Sequence, residues 1–304
     1  MAKNRTSVAA LAALAVVLTA CQNTNHASAP PASTTSAAAV TSAAPVSPDG
    51  AATPPPTPSA AASSSTTTPA VSSPAVSPSV SATATLPSSA VVSQYAGRDI
   101  ARLPTTQHVV ALTFDAGANA DAIPKILAAL RAAGVPGTFF LTGTWVKLFP
   151  QQAAEVGAAY PVGSHSMTHP YFTKLSGTQI TGQLTDAEAA IKAATGRDPR
   201  PLFRFPYGDR DARTRTVVNA AGYVSVLWTV DTLGWEGTSG GQSVASVTQR
   251  VMANLQPGEI VLMHVGSHPT DHSTLDGDAL PAVIAGIKAA GYGFVTIPQG
   301  LALN

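Results

Sequence analysis

His165 and His169 stand four residues apart in the sequence GSHSMTHP, which covers residues 163–170. If a single helical turn joins them, the two imidazoles lie one above the other on the same face. Both rings could then bind one metal ion such as zinc, provided that a carboxylate comes from elsewhere in the chain. Taken alone, the spacing also fits two surface polar residues with Pro170 ending the turn.

Five predicted strands end in a side chain that could bind a metal, carry a charge or transfer a proton. The side chains that follow these strands are Asp115, the His165–His169 pair, Arg204, Asp231 and His264. Each one alone could be structural, as a carboxylate that caps a helix or an arginine paired with it. A parallel barrel gathers the carboxyl ends of its strands at one mouth, so the five together predict an active site.

The elements that would position these residues alternate between strand and helix. Apolar, β-rich runs predict strands over residues 108–114, 137–141, 161–164, 202–205, 223–230, 259–264 and 293–297. Amphipathic patterns predict helices over residues 121–133, 145–159, 180–194, 213–221, 243–255 and 279–290. This alternation indicates an α/β fold of parallel βα units with right-handed crossovers, and about seven such units favour a closed or nearly closed barrel.

The overall composition excludes some classes of function. Charged residues make up only 11% of the 304 residues and the formal net charge is +1, so the chain lacks the clustered basic residues of a nucleic-acid-binding protein. Cys21 is the single cysteine, which excludes an internal disulfide.

Residues 1–20 have the pattern of a secretory signal peptide, because Lys3 and Arg5 precede an apolar run too short to span a bilayer comfortably. The run ends in LTAC, residues 18–21, which resembles the lipobox of bacterial lipoproteins. That resemblance implies that Cys21 is acylated and begins the mature chain; an ordinary secreted protein is the alternative. We therefore expect an extracytoplasmic protein of the cell envelope, anchored to a membrane through its lipid.

Residues 21–95 form a predicted tether of mostly Ala, Ser, Thr, Pro and Val, with Asp49 as its only charged residue. Such a segment cannot bury enough apolar surface to offset the entropy of ordering, so we predict disorder. As a flexible coil it would span roughly 45–50 Å, which suits a domain that reaches into a cell wall. Residues 96–304 are long enough for one domain with a substantial core, which we expect to be a monomer.

Five motifs of this domain resemble, in the same order, those of the polysaccharide deacetylase family, also called the NodB-homology family or carbohydrate esterase family four. They are TFDAG (113–117), HSMTH (165–169), RFPYG (204–208), DTLGW (231–235) and LMH (262–264). The resemblance covers residues 108–297. It implies a distorted (β/α) barrel and an enzyme that removes N-acetyl or O-acetyl groups from glycans with a divalent metal, for which we expect zinc, with cobalt or nickel as alternatives.

The resemblance also implies catalytic roles. Asp115 is expected to be the base that activates the attacking water, and Arg204 to hold it ionised and oriented. His165 and His169 would hold the metal. His264 would protonate the leaving amine, because an imidazole is a suitable acid near neutral pH.

Four further residues are expected to bind the substrate. Tyr207 would donate its backbone N–H to the oxyanion that develops during the reaction. Leu262 and Trp235 would form an apolar floor for the acetyl methyl group. Pro206, next to Tyr207, is the fourth residue expected to bind the substrate.

The first departure from the family's pattern is Ala116, where the family usually has a second aspartate that is the third metal ligand. Asp121 or Asn119 could supply the missing oxygen, although both also suit the start of the following helix. Water molecules could instead complete the coordination, or Asp115 could bind the metal while another group acts as the base.

The second departure is Gly234, where the family usually has an aspartate that tunes the catalytic histidine. Asp231 could take over that role or could belong to the hydrogen bonds of the strand end. Two such losses leave two hypotheses, a variant active site or a degraded one that binds glycan without chemistry.

The segment GSHPTDHS, residues 266–273, follows His264 directly and should lie at the rim of the same mouth. Its histidines and Asp271 could bind a second metal or sugar hydroxyls, but the proline and serines favour a solvated turn.

We therefore expect a metal-dependent deacetylase. Peptidoglycan is the glycan nearest to a membrane anchor, so its N-acetyl groups are the first expected substrate. Chitin-like oligomers and acetylated xylan are the alternatives.

Overall fold

The computed structural model describes residues 88–302. The predicted signal peptide, Cys21 and most of the predicted tether lie outside the described residues. None of the helices in residues 88–302 has the length and apolarity that a membrane span requires.

Strands and helices alternate along this part of the chain. The strands are β1 (Asp99–Ile100), β2 (Val109–Ala116), β3 (Thr138–Leu141), β4 (Val162–Ser164), β5 (Leu202–Phe203), β6 (Val224–Val226), β7 (Val230–Asp231), β8 (Glu259–His264) and β9 (Gly293–Phe294). The helices are α1 (Ser88–Gln94), α2 (Ile123–Ala133), α3 (Gly143–Leu148), α4 (Pro150–Ala159), α5 (Gly177–Thr195), α6 (Ala212–Ala220), α7 (Val244–Ala253), α8 (Leu275–Ala289) and α9 (Ile297–Gly300). Short 3₁₀ turns occur at Phe172–Lys174, Pro206–Gly208 and Gly234–Glu236.

The strands of residues 88–302 form one parallel sheet in the order β1-β6-β5-β4-β3-β2-β8-β7, with β9 paired to the start of β2. Only residues 227–229 connect β6 to β7, although these strands lie near opposite edges. Four Cα–Cα steps reach at most about 15 Å, so the sheet must curl until its edges almost meet. Hydrogen bonds from Leu227 N to Ile100 O and from Thr229 N to Ile260 O fill this gap. The predicted distorted (β/α) barrel is confirmed, with nine strands in residues 88–302 rather than about seven.

Alternate residues of the central strand β2 face two environments, as the period of two in a strand requires. Leu112 and Phe114 join the apolar layer beneath the helices, whereas Ala111 packs inside the curled sheet. Asp115 continues the inner row at the carboxyl end of β2, where the parallel register pairs it with His264 on β8. The interior therefore changes from apolar to charged along the strands, and this change places the chemistry at the mouth of the barrel.

The folded domain begins earlier than the predicted boundary at residue 96. Helix α1 starts at Ser88, and its Val91 is fully buried. Val91 belongs to the same cluster as Ile100 and Ile297 at the amino-terminal end of the barrel. The last residues of the predicted tether are therefore part of the domain, because an apolar side chain among the serines closes the interior.

Several predicted elements are wrong in detail. The helix predicted over 145–159 is divided into α3 and α4, because Pro150 cannot continue a helix and instead begins the next one. The strand predicted over 223–230 is divided into β6 and β7, and the last strand ends at Phe294. Helix α8 begins at Leu275, four residues before its predicted start, which brings an additional carboxylate to the site.

Glu259 at the start of β8 generates a prediction about stability. The residue is buried, its Oε1 has no hydrogen-bond partner among residues 88–302, and burial raises its pKa to about 7. The folded chain therefore keeps a proton that the unfolded chain releases near its ordinary pKa of 4.5, so the free energy of unfolding should fall as the pH rises from there to about 7. Glu259→Gln should abolish this part of the pH dependence. Urea unfolding of both proteins at about pH 4.5, 6 and 8 measures it, and a constant difference between them would contradict the raised pKa.

Candidate active site

Arg204 and Asp115 form a buried ion pair at the mouth of the barrel. Arg204 Nη1 donates to Asp115 Oδ1 at 2.7 Å, and the two side chains are 0% and 6% exposed. Burial alone would raise the pKa of Asp115, but the Arg204 guanidinium, together with His165 and His264, holds that pKa below its ordinary value. Asp115 is therefore ionised at neutral pH, with its second oxygen, Oδ2, not used by Arg204.

The Arg204 side chain is held in one position by its other contacts. Nη2 donates to Thr113 Oγ1 and to Leu227 O, both at 3.0 Å, and Nε donates to Val226 O at 3.2 Å. The guanidinium carbon lies 4.1 Å from the centre of the Phe140 ring. Because Val226 and Leu227 lead from β6 into the segment that closes the barrel, the arginine links barrel closure to the position of Asp115.

His165 and His169 come together without the helical turn that their spacing suggested. They lie in a loop after β4, in which Ser166 and His169 have left-handed φ angles of 70° and 60°. Ser166 Oγ accepts from the His169 backbone N–H at 3.0 Å, which stabilises this reversal. The two Nε2 atoms lie 3.1 Å apart. The predicted helical turn is wrong, but the pairing of the two imidazoles is present.

The hydrogen bonds and burial of the two rings favour neutral imidazoles. His165 Nδ1 lies 2.8 Å from the carbonyl oxygen of Arg204, and a carbonyl only accepts, so Nδ1 carries the proton and Nε2 keeps its lone pair. Burial lowers the pKa of His165 although Asp115 opposes this effect. Burial and the neighbouring His165 lower the pKa of His169 to about 4. Both rings are therefore neutral near pH 7, which is the state that binds a metal.

The donor atoms at this point fit the divalent metal that the family resemblance implies. Donors around a tetrahedral zinc with bonds of about 2.0–2.1 Å lie about 3.3 Å apart. The His165 and His169 Nε2 atoms are 3.1 Å apart, and Asp115 Oδ2 lies 3.4 Å from His165 Nε2. In residues 88–302 no group of three or more His, Cys, Asp or Glu side chains is placed so that it could hold a metal ion by itself. A metal held by the two imidazoles would therefore draw its remaining ligands from Asp115 or from water.

Asp121 and Asn119 serve the loop at the rim of the mouth instead. Asp121 Oδ2 accepts from Ser267 Oγ at 2.5 Å, and Asn119 Oδ1 accepts from Ser267 N at 2.7 Å. Neither residue lines the cavity described below, and α2 begins after both of them, at Ile123. The structure therefore does not bring Asp121 to the histidine pair, and neither residue is the cap of α2.

His264 lies beside a carboxylate that the sequence motifs do not contain. Asp276 Oδ2 accepts from the His264 backbone N–H at 2.7 Å and lies 3.5 Å from Nδ1 of the ring, an ion-pair distance. Burial alone would lower the pKa of His264, but Asp276, with Asp115 and Asp231, raises it above its ordinary value. Sequence reasoning missed Asp276 because α8 was predicted to begin later; the missing side chain at Gly234 was the available signal.

Asp231 belongs to the hydrogen bonds of its own strand end, which is the second of the two predicted alternatives. Its Oδ1 accepts from Leu233 N at 3.0 Å, and its Oδ2 lies 3.4 Å from the donor Nε1 of Trp235. Burial raises the pKa of Asp231. Asp231 therefore fixes the loop that carries Trp235, and it is Asp276 that contacts His264.

The rim loop predicted to be a turn is held by its own polar residues. Asp271 accepts from Ser239 N at 2.5 Å and from Ser273 Oγ at 2.6 Å, and it lies 3.4 Å from His268 Nδ1. From this loop Gly266, Ser267 and Pro269 line the cavity, whereas its two histidines do not.

A cavity of about 560 Å³ opens above the charged groups, a size typical of small-molecule sites. It is lined by most of the predicted site residues, namely Asp115, His165, His169, Asp231, His264, Tyr207, Trp235 and Leu262. Tyr207 and Trp235 are 58% and 49% exposed and stand at its mouth, whereas Leu262 is buried. Pro206 is buried and does not line the cavity.

Comparison with known proteins identifies the family. Residues 102–226 match the sequence model of the family described as polysaccharide deacetylase. A peptidoglycan-N-acetylglucosamine deacetylase of Bacillus cereus is 32% identical over 197 residues, which cover 64% of this chain and 69% of that protein. The chain belongs to the polysaccharide deacetylase family. A chitooligosaccharide deacetylase of Sinorhizobium fredii is also 30% identical over 210 residues, covering 66% of this chain and 96% of that protein.

Solved structures of polysaccharide deacetylases include both active and silent proteins. A peptidoglycan N-acetylglucosamine deacetylase has a TM-score of 0.63 and 30% identity, with coverage of 71% of this chain and 97% of that one. A carbohydrate esterase family four pseudoenzyme from Bacillus anthracis has a TM-score of 0.61 and 32% identity, with coverage of 67% and 69%. A variant of that pseudoenzyme has restored enzymatic activity. Membership of the family therefore does not by itself decide whether a chain is catalytically active.

The buried ion pair generates a prediction about stability. Arg204→Met should lower the free energy of unfolding by about 3–5 kcal/mol, because it leaves Asp115 charged and unpaired. Asp115→Asn should also destabilise, but the double variant should cost at least about 0.5 kcal/mol less than the sum. Urea unfolding of the four proteins measures this coupling. Strictly additive losses would contradict a direct interaction between the two side chains.

Proposed function

We propose that this protein is a metal-dependent hydrolase that removes acetyl groups from an extracellular glycan. The observation that carries the proposal is the meeting of Asp115, His165, His169 and His264 around one cavity, with Arg204 holding Asp115 ionised. These groups supply a base, two metal ligands and an acid within reach of one another.

A metal bound by the two imidazoles would polarise the acetyl carbonyl and lower the pKa of the attacking water. Asp115 accepts a proton from that water through Oδ2, because Oδ1 is occupied by Arg204. The raised pKa of His264 favours its protonated form, so the ring donates a proton to the leaving nitrogen.

The remaining residues of the cavity orient the acetyl group. The backbone N–H of Tyr207, in the turn Pro206–Gly208, is the proposed donor to the oxyanion. Leu262 at the floor and Trp235 at the mouth provide apolar surface for the acetyl methyl group.

The N-acetyl groups of peptidoglycan are the proposed substrate. Relatives that are peptidoglycan and chitooligosaccharide deacetylases support an N-acetylated glucosamine polymer. The LTAC sequence at residues 18–21 supports a lipid anchor at Cys21, which would place the domain in the cell envelope beside peptidoglycan. Chitin-like oligomers and acetylated xylan are the alternative substrates.

A catalytically silent glycan-binding protein is the second candidate. Ala116 removes one usual metal ligand, and a pseudoenzyme of the same family shares 32% identity with this chain. The retained base, acid and arginine favour the hydrolase, because glycan binding alone needs no such combination.

Acetate release tests the proposal. The metal-depleted chain should release no acetate from peptidoglycan fragments or chitooligosaccharides, and zinc, cobalt or nickel should restore release. His165→Ala and Asp115→Asn should each lower kcat by at least about 100-fold, since one removes a metal ligand and the other the base.

Asp121→Ala is the matched control, because it removes a nearby carboxylate that contacts Ser267 rather than the histidine pair. This variant should keep its activity. If the chain binds glycan but releases no acetate from any of these substrates with any of the metals, the hydrolase is rejected in favour of the silent glycan-binding protein.

A further inference from the structure

Asp276 lies outside the five family motifs, in the first turn of α8, yet it joins two of the strand ends at the site. Its Oδ2 accepts from His264 N at 2.7 Å, and its Oδ1 accepts from Thr232 Oγ1 at 2.6 Å. The residue is only 3% exposed. A carboxylate this deeply buried needs such donors, and here they hold it in one orientation.

Gly234 leaves the space that Asp276 occupies. A Cβ atom at position 234 would overlap Asp276 Oδ1 and would lie 2.7 Å from its Cγ. Gly234 is not among the residues of positive φ, so its backbone conformation is open to any residue. Space rather than conformation therefore excludes a side chain at 234. A side chain at 234 and the carboxylate of Asp276 would compete for the same volume.

The Asp276 carboxylate faces the ring nitrogen of His264 that has no other partner. Nδ1 lies 3.5 Å from Asp276 Oδ2 and has no hydrogen bond within residues 88–302. The other charged groups around this ring are Asp115 on β2 and Asp231 on β7. Each of these has at least one oxygen engaged elsewhere, by Arg204 for Asp115 and by backbone and indole N–H groups for Asp231.

We infer that Asp276 is the positioning residue for His264, and that the absence of a side chain at Gly234 is what admits it. The carboxylate holds the proton of His264 on Nδ1 and fixes the ring, so that Nε2 is the atom that meets the substrate. A carboxylate beside the acid is thus supplied from α8 instead of from the turn that contains Gly234. The inference rests on the proposed hydrolase function for its effect on rate, but the contact itself does not.

The test relocates the carboxylate. Asp276→Asn and Asp276→Ala should each lower kcat by at least about tenfold with little change in KM, because the acid is misplaced after substrate has bound. Gly234→Asp alone should also lower activity, since two carboxylates would compete for one buried volume. The double variant Gly234→Asp/Asp276→Ala should recover at least about tenfold over Asp276→Ala. A purely structural role for Asp276 predicts no such rescue.

Asp278→Asn is the matched control, because Asp278 lies on the same helix but pairs with Lys125 at the surface, and it should leave kcat unchanged. Thermal unfolding of each variant separates misfolding from loss of positioning. Full activity in Asp276→Asn, or a folded double variant no better than Asp276→Ala, would overturn the inference.

A measurement on the ring separates this inference from the proposed function. The ¹⁵N resonances of His264 in the full chain, recorded at a pH high enough that the ring is neutral, should show the remaining proton on Nδ1, and Asp276→Asn should shift it toward Nε2. This holds whether or not the chain releases acetate. An unchanged tautomer in Asp276→Asn would overturn the inference even if the wild-type chain is active. If Asp276→Asn changes the tautomer but the wild-type chain releases no acetate, only the hydrolase is rejected.

Discussion

The structure of the site depends on the buried guanidinium of Arg204. An ion pair buried to this degree is stable only when the remaining donors and acceptors are satisfied. Arg204 meets this condition with acceptors on β2, on β6 and in the segment that closes the barrel, while its own carbonyl accepts from His165 Nδ1. One residue therefore sets the ionisation of Asp115, the tautomer of His165 and the closure of the sheet.

The packing around this arginine also explains why position 163 is a glycine. Phe140 packs against the guanidinium, and a Cβ atom at Gly163 would lie 2.8 Å from the Phe140 ring.

Backbone strain is concentrated at the same level of the barrel. Of the six non-glycine residues with positive φ in residues 88–302, four lie in the motifs, namely Ser166, His169, Tyr207 and Leu233. Strain of this kind persists only where surrounding contacts enforce it, and it is typical of functional sites.

The sequence predicted the barrel and most of the residues around the cavity, because both follow from local rules. Alternating strand and helix patterns imply parallel βα units, and the carboxyl ends of such strands meet. Prediction from the sequence failed where packing between residues far apart in the chain determines the local structure. The helical turn at His165 was wrong because two left-handed residues reverse the chain there. Asp276 was missed because its role depends on a space left by Gly234, forty-two positions earlier, which no local pattern reveals.

The proposed metal site consists of two neutral imidazoles beside an ionised Asp115, despite Ala116. Calorimetric titration of zinc into the metal-depleted chain at neutral pH tests whether this site exists. We expect one equivalent of zinc to bind, and we expect binding to be lost in His165→Ala and in His169→Ala but retained in Asp121→Asn. Zinc binding that survives both histidine substitutions, or that disappears in Asp121→Asn, would contradict it.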